Sequence, residues 1–105
     1  MAQGNRQPKW DIYEAVILLD GYLEVLQANQ PKARIVKRIS TDLRRMATNR
    51  GIEIDNIYRN ESGVSYQIQS MDSAYKNKKV YVPATRLFQE AVALYRMDTE
   101  RYLQI

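Results

Sequence analysis

The chain contains no cysteine and no histidine, and these two absences exclude more chemistry than any motif in it supports. Disulfide frameworks, zinc fingers, thiol nucleophiles, Ser-His-Asp triads and histidine general bases each need one or the other. Glycine is scarce, at four residues, and forms no phosphate-cradling loop. The longest wholly apolar run, 15–19, is far too short to cross a bilayer, and Met1-Ala2-Gln3-Gly4-Asn5-Arg6 lacks the apolar region of a signal peptide. A cytoplasmic protein without membrane association is the expectation. Asp11, Glu14 and Asp72 can be imagined around a metal, but no carboxylate pair carries the Lys or His of a nuclease or hydrolase centre. No enzymatic activity, metal or cofactor is therefore expected. Asn60-Glu61-Ser62 fits the glycosylation pattern and, without a secretory signal, reads as coincidence.

What is present is the balance of one ordinary globular domain: 105 residues, 45% hydrophobic and 27% charged. Residues 1–9, with Gly4, Pro8 and several amides but no periodicity, read as a flexible arm, and 10–105 as a single helical domain. The net charge of +4 is unevenly spread. Within 32–50, Lys32, Arg34, Lys37, Arg38, Arg44, Arg45 and Arg50 face Asp42 alone, whereas within 51–75 only Arg59 offsets Glu53, Asp55, Glu61 and Asp72. Lys76, Lys78 and Lys79 follow. A basic segment beside a lysine-bearing loop attracts polyanions, of which nucleic acid is the commonest; a solvated helix face has the same composition.

Apolar periodicity predicts an all-α fold of four to five helices around one core. Over 11–29, Ile12, Ala15, Val16, Leu19, Tyr22, Leu23 and Leu26 recur at three and four, with Asp11 as a cap and Gly21 marking close helix packing. Pro31 suits a first helical position, and Ile35, Val36, Ile39, Leu43, Met46 and Ala47 form the next stripe before Gly51. At 100° per residue, Arg34, Lys37, Arg38, Arg44 and Arg45 gather away from it. The segment 52–59 fits a strand at Ile52-Glu53-Ile54 or, as the favoured expectation, a short helix from Asp55. Asn60-Glu61-Ser62-Gly63 is turn chemistry, with Asn60 or Ser62 as cap of a helix whose apolar stripe is Val64, Ile68, Met71 and Tyr75. Its outward face would be Ser65, Tyr66, Gln69, Ser70 and Ser73. Val80-Tyr81-Val82 reads as extended before Pro83, and Ala84, Leu87, Phe88, Ala91, Leu94 and Tyr95 line a last helix, continued over 99–103 after a break near Asp98.

A short helix, a four-residue turn and a second helix over 55–75 outline a helix-turn-helix-like corner. The face of its second helix offers Ser, Tyr and Gln, which bond bases, where a merely solubilising face is rich in Glu and Lys. The same face also suits a protein partner. Ser65, Tyr66, Gln69 and Ser70 are thus candidate base contacts, and Arg34, Lys37, Arg38, Arg45, Lys76, Lys78 and Lys79 candidate phosphate contacts. Arg59 is the local phosphate candidate, against the favoured alternative of an ion pair with Glu61 or Asp55. Of the eight tyrosines, Tyr22, Tyr75 and Tyr95 fall on apolar stripes and only Tyr66 is placed fully outward.

The run Tyr58-Arg59-Asn60-Glu61-Ser62-Gly63-Val64-Ser65-Tyr66-Gln67-Ile68, with Arg86-Leu87-Phe88-Gln89-Glu90, resembles a small helical domain at the amino end of many bacterial restriction and defence proteins. There an early Trp precedes an acidic, Leu-rich helix, an aromatic-Arg-Asn-Glu-x-Gly-(Ile/Val)-Ser turn opens a helix, and a Leu-Phe pair falls in the last one. Trp10, Glu14, Leu18, Leu19, Met46-Ala47 and 49–54 fit that outline, so the likeness covers roughly 10–103. It implies a Myb-like helix-turn-helix layout and recognition of double-stranded DNA for a fused or partner effector. Lys76-Asn77-Lys78-Lys79-Val80-Tyr81-Val82-Pro83 departs from the domain's usual glycine-rich loop. The alternatives are a protein-interaction or homodimerisation module, and a small RNA binder.

Overall fold

A computed structural model describes residues 8–78 and 82–105. It contains five helices: α1 (Ile12–Gln27), α2 (Lys32–Asn49), α3 (Glu61–Lys76), α4 (Arg86–Met97) and α5 (Thr99–Leu103). There is no strand among the described residues, so the fold is all-α, with its helices packed in one core. Helices α1 and α3 form the middle, α2 covers one side of both and α4 the other, and α5 turns back from α4 so that Tyr102 reaches α1. Among the described residues no helix is long and apolar enough to cross a membrane.

Each boundary has a local cause. Asp11 and Glu14 form a reciprocal capping box: the Asp11 carboxylate accepts from Glu14 N at 2.9 Å and Glu14 Oε1 accepts from Asp11 N at 3.1 Å. Pro31 stands one position earlier than expected, as the residue before α2, where its carbonyl accepts from Arg34 N and Ile35 N. Gly51, at φ +78°, ends α2, with its own N–H on Thr48 O and that of Ile52 on Ala47 O, both at 3.0 Å. Asn60 caps α3 by accepting from Gly63 N at 2.8 Å, and Thr85 caps α4. A Cβ on residue 63 would lie 3.0 Å from that Asn60 oxygen, a close but not forbidden contact.

Helix α1 is the most enclosed element, with Ala15, Leu18 and Leu19 wholly buried. Gly21 lets α2 approach it closely: a Cβ there would fall 2.4 Å from Ile39 Cδ1. Tyr22 and Tyr102 are buried rings whose hydroxyls reach the surface of the core, donating to Asp72 and, at 2.7 Å, to Asp20. Burial and these carboxylates push both phenols well above their ordinary range.

One expectation is corrected. Residues 55–59 are a turn, because Asp55 Oδ1 accepts from both Ile57 N and Tyr58 N and Arg59 takes a left-handed φ of 47°. The corner leading into α3 is therefore made by α2 and the 50–60 connection, and no strand forms at 52–54. The extended reading of 80–82 lies mostly outside the described residues, as do residues 1–7 of the expected arm. Its last two residues are held in place: the carbonyls of Pro8 and Lys9 accept from Arg59.

Candidate nucleic-acid interface

Arg59 is the first site residue the structure reassigns. It is 6% exposed and bonds through Nε to Glu14 Oε2 at 2.8 Å and through NH2 to Glu14 Oε1 at 3.1 Å. Its guanidinium lies 4.7 Å from the centre of the Trp10 ring and 4.5 Å from that of Tyr58. Neither Glu61 nor Asp55 is its partner. Around it, Ser40 donates to Arg59 O at 2.6 Å, Arg44 donates to Tyr58 O, and burial with the Glu14 charge raises the Tyr58 phenol. A guanidinium 6% exposed, bonded through Nε and NH2 to Glu14 and packed against two rings, offers little surface to a phosphate. The aromatic-Arg-Asn-Glu-x-Gly run is thus a clamp joining the start of α1, the side of α2 and the cap of α3.

Ser70 is also withdrawn. It is 1% exposed and donates to Pro83 O at 2.8 Å; Ser73, expected outward as well, is equally buried and donates to Val82 O at 2.6 Å. Both serines face the segment entering α4, so α3 is covered along two sides rather than one. Its remaining open stripe is Ser62, Ser65, Tyr66, Gln69 and Lys76, with Tyr66 exposed and Ser65 and Gln69 half-buried. Tyr13 is exposed too, with the Arg50 guanidinium over its ring.

The basic residues separate into paired and open groups. Arg38 makes a two-bond contact with Glu24, whose carboxyl it holds below the usual range. Arg45 lies 3.6 Å from Asp42, and Lys76 lies 3.1 Å from Asp72. Arg34, Lys37 and Lys78 are exposed with no carboxylate partner among the described residues. Lys79 lies outside the described residues.

Ser40 and Arg44 of α2 reach residues 58 and 59, just ahead of α3, while Lys32 at the other end of α2 shares a cleft with Ile68, Gln69 and Asp72. The two helices therefore run antiparallel. Lys37 is seven residues before Arg44, hence about 20° from it around the helix, and so shares the side of α2 from which Arg44 reaches Tyr58 O, just ahead of α3. Arg34 lies further round towards solvent, and Arg38 on the α1 side, where Glu24 holds it. Lys32 was not singled out from the sequence; its place among the α2 cations was visible there, but its proximity to Gln69 required the packing of α2 on α3. Among the described residues no group of acidic side chains is arranged to hold a metal ion.

No protein-family model matches this chain, and neither curated proteins nor solved structures contain a significant match to it.

Proposed function

We propose that this domain is a DNA-recognition module that binds duplex DNA through the open stripe of α3 and the adjoining edge of α2, without catalysing a reaction itself. One observation carries the reading. Ser65, Tyr66 and Gln69, uncharged donors and acceptors, lie beside an antiparallel helix whose Lys32, Arg34 and Lys37 have no carboxylate partner among the described residues. Cations at the edges of a hydrogen-bonding helix suit phosphates on either side of a groove and base edges between them. The resemblance to amino-terminal domains of bacterial restriction and defence proteins supports the same assignment, with a fused or partner effector supplying the chemistry in the cytoplasm. Ser65, Tyr66 and Gln69 are the base contacts in this reading, and Lys32, Arg34, Lys37 and Lys78 the phosphate contacts.

The test is a fluorescence-anisotropy titration with mixed-sequence duplex, single-stranded DNA and RNA at low and near-physiological salt. Duplex binding at micromolar or lower concentration that weakens steeply with salt is expected. No binding to duplex at low salt overturns the reading. A second reading, a protein-interaction module, draws on Met97 and Leu103, which are 86% and 75% exposed near the α4–α5 junction. A concentration-dependent mass in light scattering without DNA affinity would favour it.

A further inference from the structure

The cleft shared by α1, α2 and α3 has a chemistry of its own. Its volume is about 540 Å³, and Val25, Leu26 and Ile68, with the ring of Tyr22, give it an apolar lining. Lys32, Gln69 and Asp72 supply its polar groups. Asp72 Oδ1 already accepts from the Tyr22 hydroxyl and from Lys76. Its Oδ2, the Gln69 amide and the Lys32 ammonium have no protein partner among the described residues.

We propose that this cleft binds a nucleotide whose base pairs through an exocyclic amine beside an unprotonated ring nitrogen, cytosine or adenine; the choice of ligand class rests on the nucleic-acid reading above. The apolar lining accepts the faces of a flat ring. Asp72 Oδ2 accepts an N–H from the exocyclic amine, and the Gln69 amide donates to the ring nitrogen beside it. Lys32 takes the phosphate. A keto base in the same position would set its carbonyl oxygen against the Asp72 carboxylate, so the acidic group discriminates as well as binds. The nucleotide can be free, part of a single strand, or turned out of a duplex whose groove lies along α3.

The full chain, labelled with ¹⁵N, is titrated with dCMP, dAMP and dTMP while amide shifts are followed. The amine-bearing nucleotides are expected to shift the Gln69 side-chain amide and the backbone amides of Leu26 and Lys32, and to bind about fivefold tighter than dTMP, the effect of one hydrogen bond. Leu26→Trp fills the cleft from a half-exposed position and should remove those shifts while leaving the circular dichroism and Tm unchanged. Asp72→Asn, which keeps an acceptor for Tyr22, should erase the preference over dTMP. Equal binding of dTMP, shifts confined to other surfaces, or indifference to Leu26→Trp overturns the inference. A duplex carrying 2-aminopurine identifies the source: a fluorescence rise on binding marks a base turned out of the duplex, and nucleotide preference without a rise marks free or single-stranded nucleotides. Duplex affinity with no shift of Leu26, Lys32 or Gln69 on adding dCMP or dAMP would overturn this inference alone. Cleft shifts with dCMP but no duplex affinity would overturn the proposed function alone.

Discussion

Residues 58–63 and the stripe that begins at Ser65 are adjacent in sequence and opposite in role. The first segment holds the most distinctive residues in the chain, and nearly every one is engaged: Tyr58 O with Arg44, Arg59 with Glu14, Asn60 with Gly63. The second holds commonplace polar residues, of which Tyr66 and Gln69 have no bond partner among the described residues. Distinctive residues here mark where three helices are fastened together, and the surface left for a partner is composed of unremarked ones. Arg59 and Lys37 make the same contrast within one residue class. One cation is packed against Trp10 and Tyr58, and the other is exposed on α2.

The largest expected effect breaks the fastening. Arg59→Ala leaves Glu14 buried and uncompensated, and should lower stability by about 3–5 kcal/mol in urea unfolding. Arg59→Lys should recover little of it, because an ammonium cannot reproduce both bonds to Glu14 or lie flat between two rings. Next, Gly21→Ala gains about 1 kcal/mol of helix propensity but crowds Ile39, at about 1–3 kcal/mol. The net loss should shrink in the Gly21→Ala, Ile39→Val double variant, which removes the methyl that the new Cβ meets.

Alkaline pH tests the buried phenols. Tyr22 and Tyr102 have raised values in the folded chain, so their contribution is fully present below the ordinary phenol value near 10 and is lost as pH rises beyond it. Thermal unfolding should therefore fall steeply above about pH 10, and less steeply in the Tyr22→Phe, Tyr102→Phe variant. At the acid end the effect is smaller. For Asp11, burial is outweighed by the Glu14 N–H and Arg50, so its lowered carboxyl stabilises above about pH 4 and ceases to do so as pH falls through the folded value. Asp11→Asn should cost little in stability and flatten this acid limb.

On the open side, Arg34→Ala with Lys37→Ala should leave Tm within about 4 °C, since surface changes of this kind are within about 0.5 kcal/mol. The same pair should reduce the slope of log affinity against log salt by about 1–2 for duplex DNA. Gln69→Ala should instead erode preference among sequences.

Much of the helical framework was readable before any coordinates. Asp11 as a cap, Gly51 as a stop and Gly21 as a packing contact follow from rules that act over a few residues and hold, and of Asn60 and Ser62, both open as caps, Asn60 is the one used. The corrected features depend on distance along the chain. Glu14 and Arg59 are 45 residues apart, and no local pattern links them. Ser70 and Ser73 lie off the apolar stripe of α3, and the passage of 82–83 over that side covers them. The 55–59 segment carries helical periodicity, but the bonds that Asp55 makes to Ile57 N and Tyr58 N set a turn there instead.

The most direct measurement is a ¹H–¹⁵N shift map of the full chain on addition of a mixed-sequence duplex at low salt. Shifts concentrated on Lys32, Lys37, Ser65, Tyr66 and Gln69, with the Arg59 side-chain Nε–H unmoved, are the predicted result. A map centred on Arg59 and Trp10, or no shifts on α2 and α3 at all, would contradict the division between fastening and recognition.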